Sequence, residues 1–240
     1  MAPNVLLITL DQFRADCLSI AGHPLVRTPN LDRLAREGMR FDAAYSACPV
    51  CSPPRAAIMT GQYPARTRIT DFIAGGNFPA ERLLQPEWQK FLPLSAITLA
   101  EDLRERGYVT ALFGKWHLAR AYTGPESVAE GPDRQGFDET FITHKPSKNH
   151  DPDQDPHGVA GITDRAVDFL GRHRGRPFFL ELAHNSIHAP IMAPKDLIAK
   201  HRARAGEACK DGGIRMGGGP GRQSLGHRPR CAHRPSAIGR

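Results

Sequence analysis

The residues best suited to chemistry lie in three clusters, each directly after a short apolar run. Val5 to Leu10 ends in Asp11-Gln12, Val109 to Phe113 in Gly114-Lys115-Trp116-His117, and Phe178 to Leu182 in His184-Asn185-Ser186-Ile187-His188. If the runs are neighbouring strands of a parallel sheet, their carboxyl ends share one rim, and ligands of such sheets bind there. A rim offering a carboxylate, an amide oxygen, a lysine and imidazoles suits a divalent cation together with a tetrahedral oxyanion, because developing negative charge needs fixed positive groups around it. Phosphate and sulfate esters fit that description.

A fourth cluster adds a nucleophile. Cys51-Ser52-Pro53-Pro54-Arg55 runs into Ala56-Ala57-Ile58-Met59-Thr60-Gly61, where the prolines preset φ for a first helical turn and the glycine can end it. Cys51 is therefore expected at a helix amino terminus, where the dipole and Arg55 favour an anion, either a thiolate or a bound oxyanion. A cysteine-dependent phosphatase has five residues between its Cys and Arg; here Ser52, Pro53 and Pro54 are the only three.

The elements that must position these groups follow from punctuation and periodicity. Thr28-Pro29 with Leu31, Leu34 and Ala35, closed by Gly38, predicts a helix. Thr98 and Glu101 make a capping box, with Leu103 on the apolar stripe and Gly107 as terminator. Thr163, Ala166, Val167 and Leu170 predict another helix just before Phe178. The apolar runs Val5 to Leu10, Val109 to Phe113 and Phe178 to Leu182 read as buried strands. Helices before each later strand give the rhythm of an α/β protein with a mostly parallel sheet flanked by helices. Residues 120–160, rich in Pro, Asp, His and Gly, are expected to run over the surface near the site, with no element assigned.

Charge separates this body from its end. The net +7 resides in residues 201–240, with nine Lys or Arg against two acids, while the first 200 residues carry 23 of each sign. A neutral body lacks the basic face that wrapping nucleic acid requires, and no aromatic follows Phe179 to stack on bases, so no nucleic acid partner is expected. From Ala205 the chain is Gly- and Arg-rich, with too little apolar surface to offset chain entropy. The expected organisation is a catalytic-type unit over 1–204 and a tail over 205–240 that is disordered or the product of a frameshift or chimeric end. Five cysteines at unrelated spacings make no structural zinc site. With no basic leader before Val5 and no apolar stretch near 20 residues, no membrane partner is expected and the location is expected to be cytoplasmic.

Cys51-x-Pro53-x-Arg55 followed by Ala56-Ala57 and Thr60-Gly61 resembles the modification signature of the sulfatase family. The similarity runs from Pro3 to about Lys200 and includes Thr28-Pro29-Asn30-Leu31-Asp32, Gly114-Lys115-Trp116-His117-Leu118, Gly136-Phe137-Asp138 and His188-Ala189-Pro190. The resemblance implies an alkaline-phosphatase-like fold and a sulfuric ester hydrolase whose Cys51 is oxidised to formylglycine by a formylglycine-generating maturation enzyme. It implies a divalent metal, usually Ca2+ with Mg2+ or Mn2+ as alternatives, held by Asp11, Gln12 and the Cys51 hydrate. Arg55 and His117 would steady that hydrate, while Lys115 and His188 hold oxygens of a small-molecule or glycan sulfate ester. One hydroxyl of an aldehyde hydrate attacks, and deprotonation of the second expels the sulfate, which a thiol cannot do.

Two departures keep alternatives open. Gln12 stands where many members carry a second Asp, as in choline-sulfatase-like and phosphonate-monoester-hydrolase-like members, so a phosphonate or phosphodiester hydrolase is the runner-up. The family's further metal-binding Asp-Asn or Asp-His pair and a further Lys have no counterpart in this sequence, which makes the chain look truncated and an inactive fragment the third reading. Asp11, His117 and His188 gain their roles from shared motif context; taken singly, each reads more simply as a turn or surface residue. His144, His150, His157 and His184 lack such context and read as ordinary loop or strand residues, and Cys17 and Cys48 as core thiols.

Overall fold

The apolar runs do become strands, because β-branched and large aliphatic residues fit a pleated surface that buries them. The computed structural model describes residues 2–75 and 86–210. In chain order the elements are β1 (Val5–Leu10), α1 (Pro29–Glu37), α2 (Ser52–Thr60), α3 (Pro64–Thr67), α4 (Leu99–Glu105), β2 (Val109–Gly114), α5 (Pro125–Ala129), β3 (Glu139–Ile142), α6 (Val159–Arg172), β4 (Phe178–His184) and α7 (Lys195–Lys210), with three short 3-10 turns between them. The chain divides into two compact units, Met1–Phe13 with Phe41–Met192 and Arg14–Arg40 with Ala193–Arg240. The first holds the sheet. The second holds α1 and α7, and within it Arg204 donates to the Leu25 carbonyl at 3.2 Å.

The sheet is parallel throughout, in the order β1-β4-β2-β3. Register sets Leu7 beside Glu181 and Glu181 beside Leu112, so these three share a face with Phe179 and Thr110. On that face Phe179, Leu112, Phe137, Trp116 and Leu118 form one core cluster together with Ala56 and Met59 of α2 and Ala100 of α4. On the other face Ile162, Ala166 and Phe169 of α6 cover Val109, Ala111, Phe113, Phe178 and Leu180. Fully burying a large apolar side chain contributes about 1.5–3 kcal/mol relative to leaving it exposed; β2, buried at all six positions, collects this from both faces.

Local signals explain the helix ends. Thr98 Oγ1 accepts from the Glu101 amide at 3.1 Å while Glu101 Oε2 accepts from the Thr98 amide at 2.8 Å, which is the predicted capping box. α2 begins right after Cys51 and ends at Gly61, whose φ of 66° turns the chain away while its amide bonds Ala57 O at 2.8 Å. α6 begins four residues ahead of Thr163, because the Asp155 carboxylate accepts from the amides of Val159, Ala160 and Gly161 at 2.7, 2.9 and 3.3 Å.

Several expectations need correction. β1 is not a buried strand: it lies at the end of the described sheet and alternates, with Leu6, Ile8 and Leu10 left 48, 47 and 36% exposed on the face that α6 covers elsewhere. The stretch 120–160 contains β3, whose Glu-Thr-Phe-Ile is too short and too polar to stand out. Val167 is exposed; Phe169 takes the core position instead. Cys17 and Cys48 are half-buried free thiols outside both core clusters. α7 carries through Ala205 to Lys210, so residue 204 is not an element boundary: Ala, Lys and Arg are strong helix formers even without apolar surface. Residues 211–240 of the expected tail lie outside the described residues. Among the described residues no helix is long and apolar enough to cross a membrane.

Candidate active site

Each cluster named by its residue types sits at the carboxyl rim of the sheet, and each is brought there by a different device. Asp11 follows β1 directly; its amide bonds His184 O of β4 at 3.2 Å, and its carbonyl accepts from Ile187 at 3.0 Å. Gln12 is left-handed, φ 59°, and its Oε1 accepts from the Ala189 amide at 3.3 Å.

Lys115 follows Gly114, where φ is 121° and a Cβ would stand 2.0 Å from Ala183 O; only glycine lets β2 hug β4 closely enough for the Lys115 amide to reach that same oxygen at 2.7 Å. His117 is also left-handed, φ 56°. Such a backbone costs of order 1 kcal/mol or more and persists only where neighbours over-determine it. Here buried Ser52 does so: its Oγ donates to His117 O at 2.9 Å and accepts from the Ile73 amide at 3.0 Å, while His117 Nε2 stands 2.6 Å from Ile73 O.

Cys51 caps α2, with its Sγ 3.8 Å from both Asp11 carboxylate oxygens. One turn on, Arg55 Nη1 donates to Lys115 O at 3.0 Å, tying the helix to the end of β2. The Lys115 ammonium forms a 2.5 Å ion pair with Asp11 Oδ2, both side chains under a tenth exposed. His188 Nδ1 donates to Ala189 O at 2.6 Å, which leaves Nε2 for other partners. All of Asp11, Gln12, Cys51, Arg55, Lys115, His117 and His188 belong to the first unit.

The electrostatics divide sharply. Burial alone would push the Asp11 carboxyl up, but Lys115 first, then Arg55 and His188, hold it below its ordinary value, so it is ionised. Burial, and after it the charge of Lys115, lower the His117 imidazole to about 4, so it is neutral at pH 7. Burial raises Glu181 of β4 to about 7, with Arg55 and the Thr9 hydroxyl pulling the other way. Thr9 Oγ1 lies 3.5 Å from that carboxylate, the far limit of a hydrogen bond.

A divalent cation fits this donor set. Ligand atoms of Asp11, Cys51 and His188 lie within 4.8 Å of one another, and an oxygen on an oxidised Cys51 would take the place of Sγ beside an ionised carboxylate. Hard cations prefer such oxygens.

Above these groups opens a cavity of about 510 Å3 whose walls include Gln12, Cys51, Lys115, His117, Tyr122 and His188. His144 also faces it, whereas His150 is exposed and bonded to Ser147, and His157 is buried. Residue types and spacing missed four contributors. Ser52 and the Ile73 carbonyl hold His117, but their pairing spans 44 to 65 residues of chain. Tyr122, with its hydroxyl 2.6 Å from His117 Nε2, stands in a stretch without periodicity. Glu181 did leave a signal, as a lone acid inside the apolar run Phe178 to Leu182.

A mostly parallel sheet with helices on both faces and this rim defines an alkaline-phosphatase-like α/β protein. Comparison with known proteins narrows the class. The sulfatase family model matches residues 3–216. The N-acetylgalactosamine-6-sulfatase of Canis lupus familiaris is 33% identical over 87% of the chain and 44% of its own length. Among solved structures, Ps i-CgsB in complex with k-i-k-neocarrahexaose is 27% identical with a TM-score of 0.66, covering 85% of this chain and 49% of that one. The phosphonate monoester hydrolase of Agrobacterium radiobacter is 25% identical with a TM-score of 0.61, covering 81% and 43%. The chain belongs to the sulfatase family, and it spans about half the length of the relatives it matches.

Proposed function

We propose that this site hydrolyses sulfate esters, glycan sulfates in particular, with Cys51 converted to formylglycine by a maturation enzyme and a calcium ion held at Asp11 and Gln12. The observation that carries the reading is the position of Cys51. It caps α2, 3.8 Å from both oxygens of an ionised Asp11, with Arg55 one turn away and Lys115 on the same carboxylate.

The cation, when bound, supplies positive charge beside the nucleophile and the developing sulfate. The chain's own groups do the rest. Lys115 and His188 bind ester oxygens, His188 as the imidazolium, the form in which Nε2 as well as Nδ1 carries a hydrogen, and their charge counts most where negative charge grows. Arg55 holds the first turn of α2 against the end of β2, so the hydroxyls of the Cys51 hydrate arrive in a fixed orientation. His117, neutral at pH 7 with Nε2 turned to the Ile73 carbonyl, keeps Nδ1 as a lone-pair acceptor for a hydrate proton.

The sulfated substrates named for relatives support the glycan class: one relative is a sulfatase of N-acetylgalactosamine 6-sulfate, and a similar structure holds a carbohydrate ligand. A phosphonate or phosphodiester substrate is the second reading. It is favoured by the likeness to a phosphonate monoester hydrolase, and such esters carry the same single negative charge as a sulfate ester, so the same cationic groups suit them. Mass spectrometry after coexpression with a formylglycine-generating enzyme tests the first step: the Cys51 peptide is expected to lose about 18 Da on conversion from thiol to aldehyde. A quantitatively intact thiol sinks the mechanism.

A further inference from the structure

Tyr122 is half-exposed and stands five residues beyond His117, on the wall of the 510 Å3 cavity. Its hydroxyl oxygen lies 2.6 Å from His117 Nε2, and that nitrogen is equally 2.6 Å from the Ile73 carbonyl oxygen. A carbonyl only accepts, so Nε2 must carry a hydrogen. The phenolic oxygen is then on the accepting side of its contact with the ring, and its own hydrogen cannot point there. Among the described residues that hydroxyl has no other hydrogen-bond partner. The ring itself is fixed, tilted over His117 at 5.0 Å between centroids and edge-on to His144 at 5.6 Å. The result is a phenol whose hydroxyl hydrogen turns away from His117, on a side chain that lines the cavity also exposing Cys51, Lys115 and His188.

We infer that Tyr122 is a specificity-determining residue: its hydroxyl donates a hydrogen bond to an oxygen on the leaving-group side of the bound ester, so that the site selects sulfates of polyhydroxylated skeletons over sulfates of bare aromatic rings. The inference rests on the sulfate-ester reading of the site. A donor without a protein partner discriminates, because a bound ligand that covers the O–H without offering an acceptor removes its water and leaves it unpaired.

Binding to the 240-residue chain with Cys51 kept as the thiol tests this, since the ester then stays intact. Isothermal titration in saturating calcium compares wild type, Tyr122→Phe and Lys115→Met with three probes: N-acetylgalactosamine 6-sulfate, phenyl sulfate and inorganic sulfate. The expected result is an affinity loss of about tenfold in Tyr122→Phe for the sugar sulfate alone, the size of one neutral hydrogen bond, with Lys115→Met weakening all three. Equal sugar-sulfate affinity in wild type and Tyr122→Phe overturns the assignment of Tyr122 while leaving the sulfate-ester reading in place. An equal loss for all three probes in Tyr122→Phe also overturns it, because that pattern means the hydroxyl only braces His117. Absence of binding for every probe in wild type overturns the sulfate-ester reading, and the inference with it.

Discussion

The two sides of the site are built on unequal foundations. Lys115 and His117 follow β2, which is buried at all six positions between α4 and α6, and they are locked further by Gly114, Ser52 and Ile73. Asp11 and Gln12 follow β1, which has β4 on one edge and leaves Leu6, Ile8 and Leu10 largely exposed on one face. The Lys115 side is thus held by packing from both faces, and the Asp11 side by one neighbouring strand and an ion pair. The difference shows that precise placement of a charged group needs a supporting shell, and the ion pair of Asp11 with Lys115 is what transmits that support across the rim.

The sharpest break of this comparison is kinetic. In the chain with Cys51 converted, joined to the carboxyl half of a sulfatase relative, Lys115→Ala and Cys51→Ala are each expected to lose on the order of a hundredfold or more in rate toward an aryl sulfate. Gln12→Ala, on the less supported side and already engaged with the Ala189 amide, is expected to lose about tenfold or less. Steady-state turnover decides it. Near-wild-type activity of Lys115→Ala, or a larger loss for Gln12→Ala, would reverse the ranking of the two sides.

Unfolding in urea measures the same contrast in stability. Leu112, 1% exposed at the centre of β2, is expected to cost about 2–5 kcal/mol when cut to alanine, because removal leaves a cavity between two packed layers. Ile8, 47% exposed on β1, is expected to cost about 1 kcal/mol or less, in proportion to the apolar area it buries. Similar costs at the two positions would show that β1 is as well supported as β2.

Much of this arrangement was legible in residue types alone. Strands with long aliphatic runs and helices with caps stand out, because their signals are local: the Thr98–Glu101 box and the Cys51 to Gly61 helix lie where spacing places them. Asp11, Gln12, Lys115 and His117 stand at the rim for the same reason, since they follow apolar runs, and Cys51 and Arg55 stand there because they open a helix that proline and glycine mark. The unread parts depend on distant partners. β3 is a strand because β2 pairs with it, not because Glu139-Thr140-Phe141-Ile142 is apolar. Ser52, Ile73 and Tyr122 matter through contacts with His117 that no spacing encodes. The half-exposed β1 could not be told from a central strand, since neighbours and not composition decide which face is covered.

Glu181 offers a smaller effect with a defined pH window. Its carboxyl is raised by burial from 4.5 to about 7. Below about pH 4.5 it is neutral in both folded and unfolded chains and has no effect on stability. Between about 4.5 and 7 the unfolded chain releases the proton while the folded one retains it, so stability falls as pH rises, by roughly 3 kcal/mol in all, and then levels off. Glu181→Gln is expected to remove that slope, measured as the difference in unfolding free energy between wild type and variant at pH 4.5 and 8. A difference that stays constant across the window would show that Glu181 is ionised throughout, with Arg55 outweighing burial.

The smallest effect concerns the open face of β1. Leu6 is 48% exposed, and it shares its face with Ile8 and Leu10, exposed to similar degrees. Three aliphatic side chains in a row on an end strand form the kind of surface that draws chains together, and lysine is the residue that natural sheets use to prevent it. Leu6→Lys keeps a four-carbon stem that can lie along the same surface with its ammonium in water. Folding stability is therefore expected to change by about 1 kcal/mol or less. Self-association of the isolated chain should fall, read by light scattering over a concentration series, while the same change at Leu180, the fully buried partner of Leu6 across the sheet, should abolish folding. An unchanged scattering profile for Leu6→Lys would mean that this face does not drive association, and that the one-sided support of β1 has no consequence for how the chain behaves in solution.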